Sequence, residues 1–298
     1  MSDQFRVTTW DDYQGQNKMK KRLETHIQGS LNRGDALDHL LLVGPPGCGK
    51  TTIAEIIAAQ MYAPFVSFVM PQKPNLLRRV FQEHEGVVLL DEIHRLKASQ
   101  QETLLTVIED GYYQMDNGGR IDCNESLTVI GATTEPDKII APLYDRFTIR
   151  PEWEVYTDRE MGKIIQGMAE RADVDLSRRV CKKLARATGG VPRNGKMMVV
   201  MARDMYSEDP DEILTALRLT KDGLTVQHLD YLQVLSDTGK PTGLTTIRAH
   251  LRLPESIIYD LERLLLRRKL ITYETTGRDL TGAGMKVVKE NKATPDTL

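Results

Sequence analysis

The sequence lacks most of what marks a secreted, membrane-spanning or strongly basic protein. It holds only three cysteines in 298 residues, Cys48, Cys123 and Cys181, widely separated. That number and spacing exclude a disulfide framework and match no metal-ligand pattern. No apolar run approaches the roughly 20 residues that cross a bilayer. Met1 to Trp10 has no signal-peptide apolar core. A reducing, cytoplasmic setting is the expectation. Net charge is also nearly missing: 40 Lys and Arg against 42 Asp and Glu leave −2. The bulk positive charge that would announce nucleic acid is absent, so any DNA contact must come from a local patch. There is no internal repeat and no long low-complexity segment. What remains is ordinary globular composition, 40% hydrophobic and 28% charged, on a chain long enough for two or three domains.

Apolar spacing divides the chain. Met19, Leu23, Ile27 and Leu31 recur every four residues, the face of a helix. Three short apolar runs, Leu40–Val43, Val87–Leu90 and Leu127–Ile130, read as buried strands. Thr51–Met61 reads as a helix. Ser99 and Glu102 form a capping-box pattern ahead of Leu104, Leu105 and Ile108. Alternating strands and helices imply a parallel sheet covered on both faces. After Pro151 the strands stop. Thr157 and Glu160 form a second capping box, opening a helix to about Arg171. Further helices are predicted over Arg178–Ala187 and Asn194–Tyr206. The last segment predicts helices at Val226–Leu235, Leu244–Leu251 and Glu255–Arg268. Strands are then expected at Leu270–Thr275 and Met285–Val288, and a polar, disordered tail after them. Three helices followed by a hairpin is winged-helix order.

Two motifs carry chemistry. Gly44-Pro45-Pro46-Gly47-Cys48-Gly49-Lys50-Thr51 fits the phosphate-loop pattern, with an apolar strand before it and a helix after. Gly44, Pro45, Gly47, Cys48 and Gly49 form the segment expected around the phosphates, with N–H groups turned inward except at the proline, which has none. Lys50 is placed to neutralise the phosphates, the Thr51 hydroxyl to hold Mg²⁺, and Thr52 lies in the first turn of the helix whose N-terminus adds partial positive charge. Val87 to Leu90 ends in Asp91 and Glu92. Asp91 at a strand end can hold Mg²⁺ through water, and Glu92 can activate the attacking water. ATP and Mg²⁺ are the expected ligands.

With these motifs the chain resembles the AAA+ ATPases, and within them the RuvB family of Holliday-junction branch-migration motors. The matching stretches include Trp10-Asp11-Asp12-Tyr13-Gln14-Gly15-Gln16, Asp91-Glu92-Ile93-His94-Arg95-Leu96, Gly131-Ala132-Thr133-Thr134, Leu143-Tyr144-Asp145-Arg146-Phe147 and Gly190-Val191-Pro192-Arg193. They occur in family order over roughly Phe5 to Gly282. The resemblance implies an α/β fold: an AAA+ domain with a parallel sheet over residues 1–153, a small helical lid over 154–222, and a winged-helix DNA-binding domain over 223–289, with 290–298 disordered. It implies that Thr134 is the first sensor, that Arg146 is an arginine finger acting on a neighbouring subunit's nucleotide, and that Arg193 is the second sensor. Tyr13, Gln14 and Tyr156 match positions near the adenine. A lone arginine is otherwise a surface ion-pair partner, and an aromatic at a domain junction is as often packing as contact.

The implied activity is ATP hydrolysis in a hexameric ring, coupled to translocation on double-stranded or junction DNA. Arg267, Arg268 and Arg278 in the basic C-terminal segment are the expected DNA contacts. Two features depart from the family. The wing carries one arginine, Arg278, where the family has several. The hairpin expected over residues 112–121 turns at Asp116-Asn117-Gly118-Gly119 and is short and polar, where the family docks a long apolar tip on its partner RuvA. That argues against a RuvA-type partner and leaves open a clamp-loader-like switch ATPase acting through some other protein.

Overall fold

Strands covered by helices on both faces need consecutive apolar residues rather than alternating ones. The computed structural model describes residues 3–115 and 118–292, which form two compact units, Met1–Tyr156 and Thr157–Leu298. In the first, α1 (Asn17–Arg33) leads to β1 (Leu40–Val43), α2 (Lys50–Gln60), β2 (Phe65–Val69), α3 (Pro74–Glu83), β3 (Val87–Asp91) and α4 (Ala98–Asp110). A hairpin of β4 (Tyr112–Gln114) and β5 (Arg120–Asp122) follows, then β6 (Thr128–Thr133) and α5 (Ala141–Arg146).

The main sheet runs β1-β6-β3-β2, every pair parallel. Parallel bridges from Leu40 to Ile149 and from Val43 to Glu152 extend it past β1. Successive side chains point to opposite faces. Leu40, Leu42, Leu89, Ile130 and Ala132 therefore pack with α1 and α2, through Leu23, Ile27, Ile53 and Ile57. Leu41, Val88, Leu90 and Val129 pack on the other side with Leu77, Phe81, Leu104 and Leu143. Each fully buried aliphatic side chain contributes about 1.5–3 kcal/mol. The register pairs Val43 with Thr133 and Asp91 with Ala132, so β1, β3 and β6 end together at one edge. That carboxyl edge is where parallel sheets place ligands.

The strands predicted at 40–43, 87–90 and 127–130 are all present. Several elements pass unmarked in the sequence, β2, α3 and the short α5 among them. β2 is a sheet-edge strand, half exposed, and α3 buries only Leu77 and Phe81. The first capping box lies two residues earlier than predicted: α4 begins at Ala98, and Gln100 Oε1 accepts the Lys97 N–H at 3.0 Å, leaving Ser99 inside the first turn. The β4–β5 hairpin lies where predicted, although Asp116 and Asn117 of its turn fall outside the described residues.

In the second unit, α6 (Asp158–Arg171), α7 (Arg178–Ala187), α8 (Pro192–Met205) and α9 (Pro210–Ala216) each bury one apolar stripe. Met161, Ile165, Cys181, Leu184, Met198 and Val199 lie in it. The Thr157–Glu160 capping box is formed as predicted, the Thr157 hydroxyl accepting the Glu160 N–H at 3.2 Å. Then come α10 (Val226–Thr238), α11 (Leu244–Leu251), α12 (Glu255–Arg267), β7 (Ile271–Glu274), β8 (Gly277–Leu280) and α13 (Gly282–Lys292). They share a core of Leu224, Tyr231, Leu232, Ile247, Ile258, Leu265 and Val288.

The wing differs from the sequence expectation. Its second strand is Gly277–Leu280, and Met285–Val288 lies within α13. Strand pairing decides it: the Arg278 N–H donates to Thr242 O at 2.9 Å and Thr242 N–H to Arg278 O at 2.8 Å. The Thr281 hydroxyl then accepts the Gly284 N–H at 3.1 Å, which starts the helix. The helix continues through Lys292, so the tail expected to be disordered from residue 290 is helical over its first residues. Residues 293–298 lie outside the described ones.

Candidate functional site

At the end of β1 the chain turns through the phosphate loop into α2. Gly49 has φ +107°, a conformation that strains any other residue, and a Cβ there would come within 3.1 Å of the Tyr13 hydroxyl. Lys50 is 7% exposed, and its Nζ donates to Gly44 O at 2.8 Å and to Pro45 O at 3.1 Å. An ammonium held inside its own loop by neutral carbonyls has no anionic partner there, and phosphate oxygens would supply one. The Thr51 hydroxyl is exposed and makes no hydrogen bond among the described residues, and Thr52 follows it, half-buried, in the first turn of α2.

Tyr13 and Tyr156 roof this loop. Their hydroxyls lie 2.8 Å apart, and Tyr156 also donates to Cys48 O at 3.4 Å. Burial, reinforced by the neighbouring Tyr156, raises the Tyr13 pKa well above the usual phenol value, so Tyr13 is neutral. Gln14, expected beside them, reaches back to Asp11 O at 3.4 Å. The amide locked into the fold is Gln16, which is buried and exchanges two hydrogen bonds with the Glu154 backbone, at 2.6 and 2.9 Å. Cys48, Cys123 and Cys181 are all free thiols, and burial pushes the last two up to about 11.

At the end of β3, Asp91 Oδ1 accepts the Glu92 N–H at 3.0 Å. Glu92 takes a left-handed conformation, φ 57° and ψ 45°, which costs a non-glycine residue about 1–2 kcal/mol. Its Oε2 accepts from the Thr134 hydroxyl at 3.3 Å and lies 3.2 Å from His94 Nδ1. The fold thus brings together Asp91, Glu92 and Thr134, as the sequence suggests. It adds His94, Thr133 and Glu135, to which the motifs assign no role. His94 falls inside the Asp91–Leu96 stretch, and its place two residues after Glu92 is the one signal in the sequence that points to it. Lys138, 2.5 Å from Glu135, holds that carboxyl below its usual range, with His94 and Arg95 adding to the effect.

Arg146 ends α5 with its side chain 53% exposed, paired with Glu109 at 2.5 Å. Arg193 is exposed in the first turn of α8 and has no ion pair among the described residues.

The three arginines expected to grip DNA are engaged otherwise. Arg278 forms a two-pronged ion pair with Glu262, Nε to Oε1 at 2.9 Å and an amino group to Oε2 at 3.3 Å. Glu262 is 1% exposed and also accepts from the hydroxyls of Tyr231 at 2.7 Å and Tyr273 at 2.6 Å. Arg278 further stacks 5.1 Å from the Tyr273 ring centre. Arg267 donates to Gly189 O, and Arg268 donates to Arg186 O and lies 3.6 Å from Asp158. All three guanidinium groups serve the second unit's own packing.

The chain matches two family descriptions: Holliday junction DNA helicase RuvB P-loop domain over residues 5–152, and RuvB C-terminal winged helix domain over residues 221–289. It is 33% identical, over an alignment of 315 positions, to the Holliday junction branch migration complex subunit RuvB of Nitratiruptor sp., covering 98% of this chain and 92% of that one. The corresponding Campylobacter hominis subunit is 32% identical, with 95% and 90% covered. The solved Thermotoga maritima RuvB Holliday junction branch migration motor superposes with a TM-score of 0.83 at 29% identity, covering 96% of this chain and 99% of that one. Phosphate loop, Asp-Glu strand end, winged helix and near full-length similarity agree: the chain belongs to the RuvB family.

Proposed function

We propose that the chain is an ATP-driven DNA motor that works as a ring and moves double-stranded DNA or migrates Holliday junctions. The observation that carries the proposal is the convergence of Lys50, Asp91, Glu92 and Thr134 at one edge of one parallel sheet. Near full-length similarity to branch-migration subunits supports the motor over a clamp-loader-like switch.

In this reading Lys50 exchanges its loop carbonyls for the β- and γ-phosphates of ATP. Thr51 and Asp91 fit a Mg²⁺ ion: one is an open hydroxyl, the other a strand-end carboxylate at the same ligand edge of the sheet. Among the described residues no set of three His, Cys, Asp or Glu side chains could hold a metal alone, and the phosphates complete the ligand set. Bound there, Mg²⁺ supplies positive charge against the phosphates. Glu92 orients and activates the attacking water, and Thr134 fixes Glu92 and senses the γ-phosphate. Arg146 leaves Glu109 for the phosphate bound by a neighbouring subunit in the ring, and Arg193 reports nucleotide state to the helical lid. Residues 1–153, 154–222 and 223–289 act as motor, lid and winged helix. With Arg267, Arg268 and Arg278 committed elsewhere, the DNA grip passes to the exposed Arg252, Lys269 and Lys289. The hairpin packs Tyr113 on Phe81 of its own unit, ring centres 6.1 Å apart, which argues against a projecting RuvA dock.

The test is steady-state ATPase activity with and without duplex or four-way-junction DNA, for wild type, Glu92→Gln and Arg146→Ala. Stimulation by DNA, two inactive variants and partial recovery on mixing them would support shared sites in a DNA-driven ring. An active enzyme indifferent to DNA would sink the motor reading.

A further inference from the structure

One buried side chain at the catalytic edge is needed neither by the sheet nor by the phosphate loop. His94 lies in the short turn after Glu92, its side chain 7% exposed. Nδ1 is 3.2 Å from Glu92 Oε2 and 3.0 Å from Thr133 Oγ1, and Nε2 is 3.1 Å from Glu135 Oε1. Nδ1 shares a hydrogen bond with the Thr133 hydroxyl and lies at ion-pair distance from Glu92, and Nε2 lies at ion-pair distance from Glu135, so the ring sits between two carboxylates. Its far partner is fixed in turn, because the Glu135 N–H donates to Thr133 Oγ1 at 3.0 Å and its carboxylate pairs with Lys138. On the near side, His94 and Thr134 meet the same oxygen of Glu92, and Oε1 makes no hydrogen bond among the described residues.

A carboxylate anchored through one oxygen presents the other in a fixed direction. Resting on the ATPase reading above, we propose that His94 is a positioning residue: it holds Oε2 of Glu92 against Thr134 so that Oε1 faces the attacking water, with Glu135 and Lys138 setting the plane of the ring. His94 touches neither nucleotide nor water and acts only through Glu92.

The experiment uses the full chain with Mg·ATP, and with junction DNA if turnover requires it. Single-turnover hydrolysis, binding of a fluorescent ATP analogue and melting temperature are read together. His94→Ala should lower the hydrolysis step by about 10- to 100-fold, the usual cost of losing an orienting partner, while analogue affinity stays at the wild-type value. His94→Asn, whose amide can donate to Glu92 from the same place, should recover much of the loss. Glu135→Gln should show a smaller loss. In a Glu92→Gln background His94→Ala should cost nothing further, since both changes disable one unit. Wild-type hydrolysis in His94→Ala overturns the inference while the ATPase reading stands. So does faster hydrolysis, which would make His94 a restraint, or a rate and affinity lost together without recovery in His94→Asn. If His94→Ala does not fold, an inactive His94→Asn beside an unaffected Glu135→Gln overturns it. A wild type with no turnover overturns the ATPase reading, and the inference with it.

Discussion

Lys50 and Arg278, one in each unit, have similar settings in the sequence: each is a cation in a glycine-containing motif, and each is expected to hold an anionic ligand. The structure separates them. Lys50 is buried but faces only the neutral carbonyls of Gly44 and Pro45. Arg278 faces a buried carboxylate whose remaining lone pairs are taken by Tyr231 and Tyr273. A buried cation without an anion awaits a ligand, whereas one with a fully bonded carboxylate is part of the fold.

The sharpest way to break this comparison is to remove each cation. Lys50→Ala should lower ATP turnover by about 10²- to 10³-fold, the cost of losing one charged contact to a transferring group. Its thermal melting should stay near wild type, because only carbonyls lose a partner. Arg278→Met should do the reverse. It strands Glu262 in the winged-helix core and should cost about 3–5 kcal/mol in denaturant unfolding. Adding Glu262→Leu should restore most of that stability. If Arg278→Met is as stable as wild type and has lost DNA affinity, Arg278 is a DNA contact after all.

A smaller effect should be common to both units. Burial lowers the pKa of His39 and of His228 from 6.5 to about 4. His39 Nδ1 accepts the Val129 N–H at 2.9 Å, and His228 Nδ1 accepts the Thr225 N–H at 3.1 Å. Each ring therefore stays neutral in the fold, while in the unfolded chain it gains a proton below about 6.5. Their contribution is complete above that pH and is lost as pH falls toward 4, by at most about 3 kcal/mol per ring. Melting temperature measured across this window should decline less in His228→Gln than in wild type. The smallest effect belongs to α6: Thr157→Ala removes its cap and should cost about 1 kcal/mol by chemical denaturation, with ATP turnover little changed.

Among the described residues no helix is long and apolar enough to cross a membrane, in keeping with the lack of long apolar runs. The pattern of the chain is informative wherever the signal is local. Continuous apolar runs mark β1, β3 and β6, because strands between two helical layers have no polar face to show. Thr157 and Glu160 mark the start of α6, because a cap is made by residues three apart. The edge strand β2 and the short α3 carry too few buried residues to stand out. The first wing strand lies where expected, and the second lies eight residues earlier, at Gly277–Leu280 rather than Met285–Val288. A hairpin of Ile271–Glu274 and Gly277–Leu280 has weak periodicity and depends on pairing with Thr242, far away in the chain.

By itself the sequence determined the phosphate loop, the Asp91-Glu92 pair, the three central strands, most of the longer helices, and the family. Glycine conformations, strand burial and catalytic spacing are all written over a few consecutive residues. Only the tertiary structure decided which charges are available to a ligand. Glu262 and Arg278 are 16 positions apart, and His94 and Thr133 are 39 apart. Whether a charged side chain meets a partner in the fold depends on which distant segments pack around it, and burial then makes the meeting either obligatory or impossible.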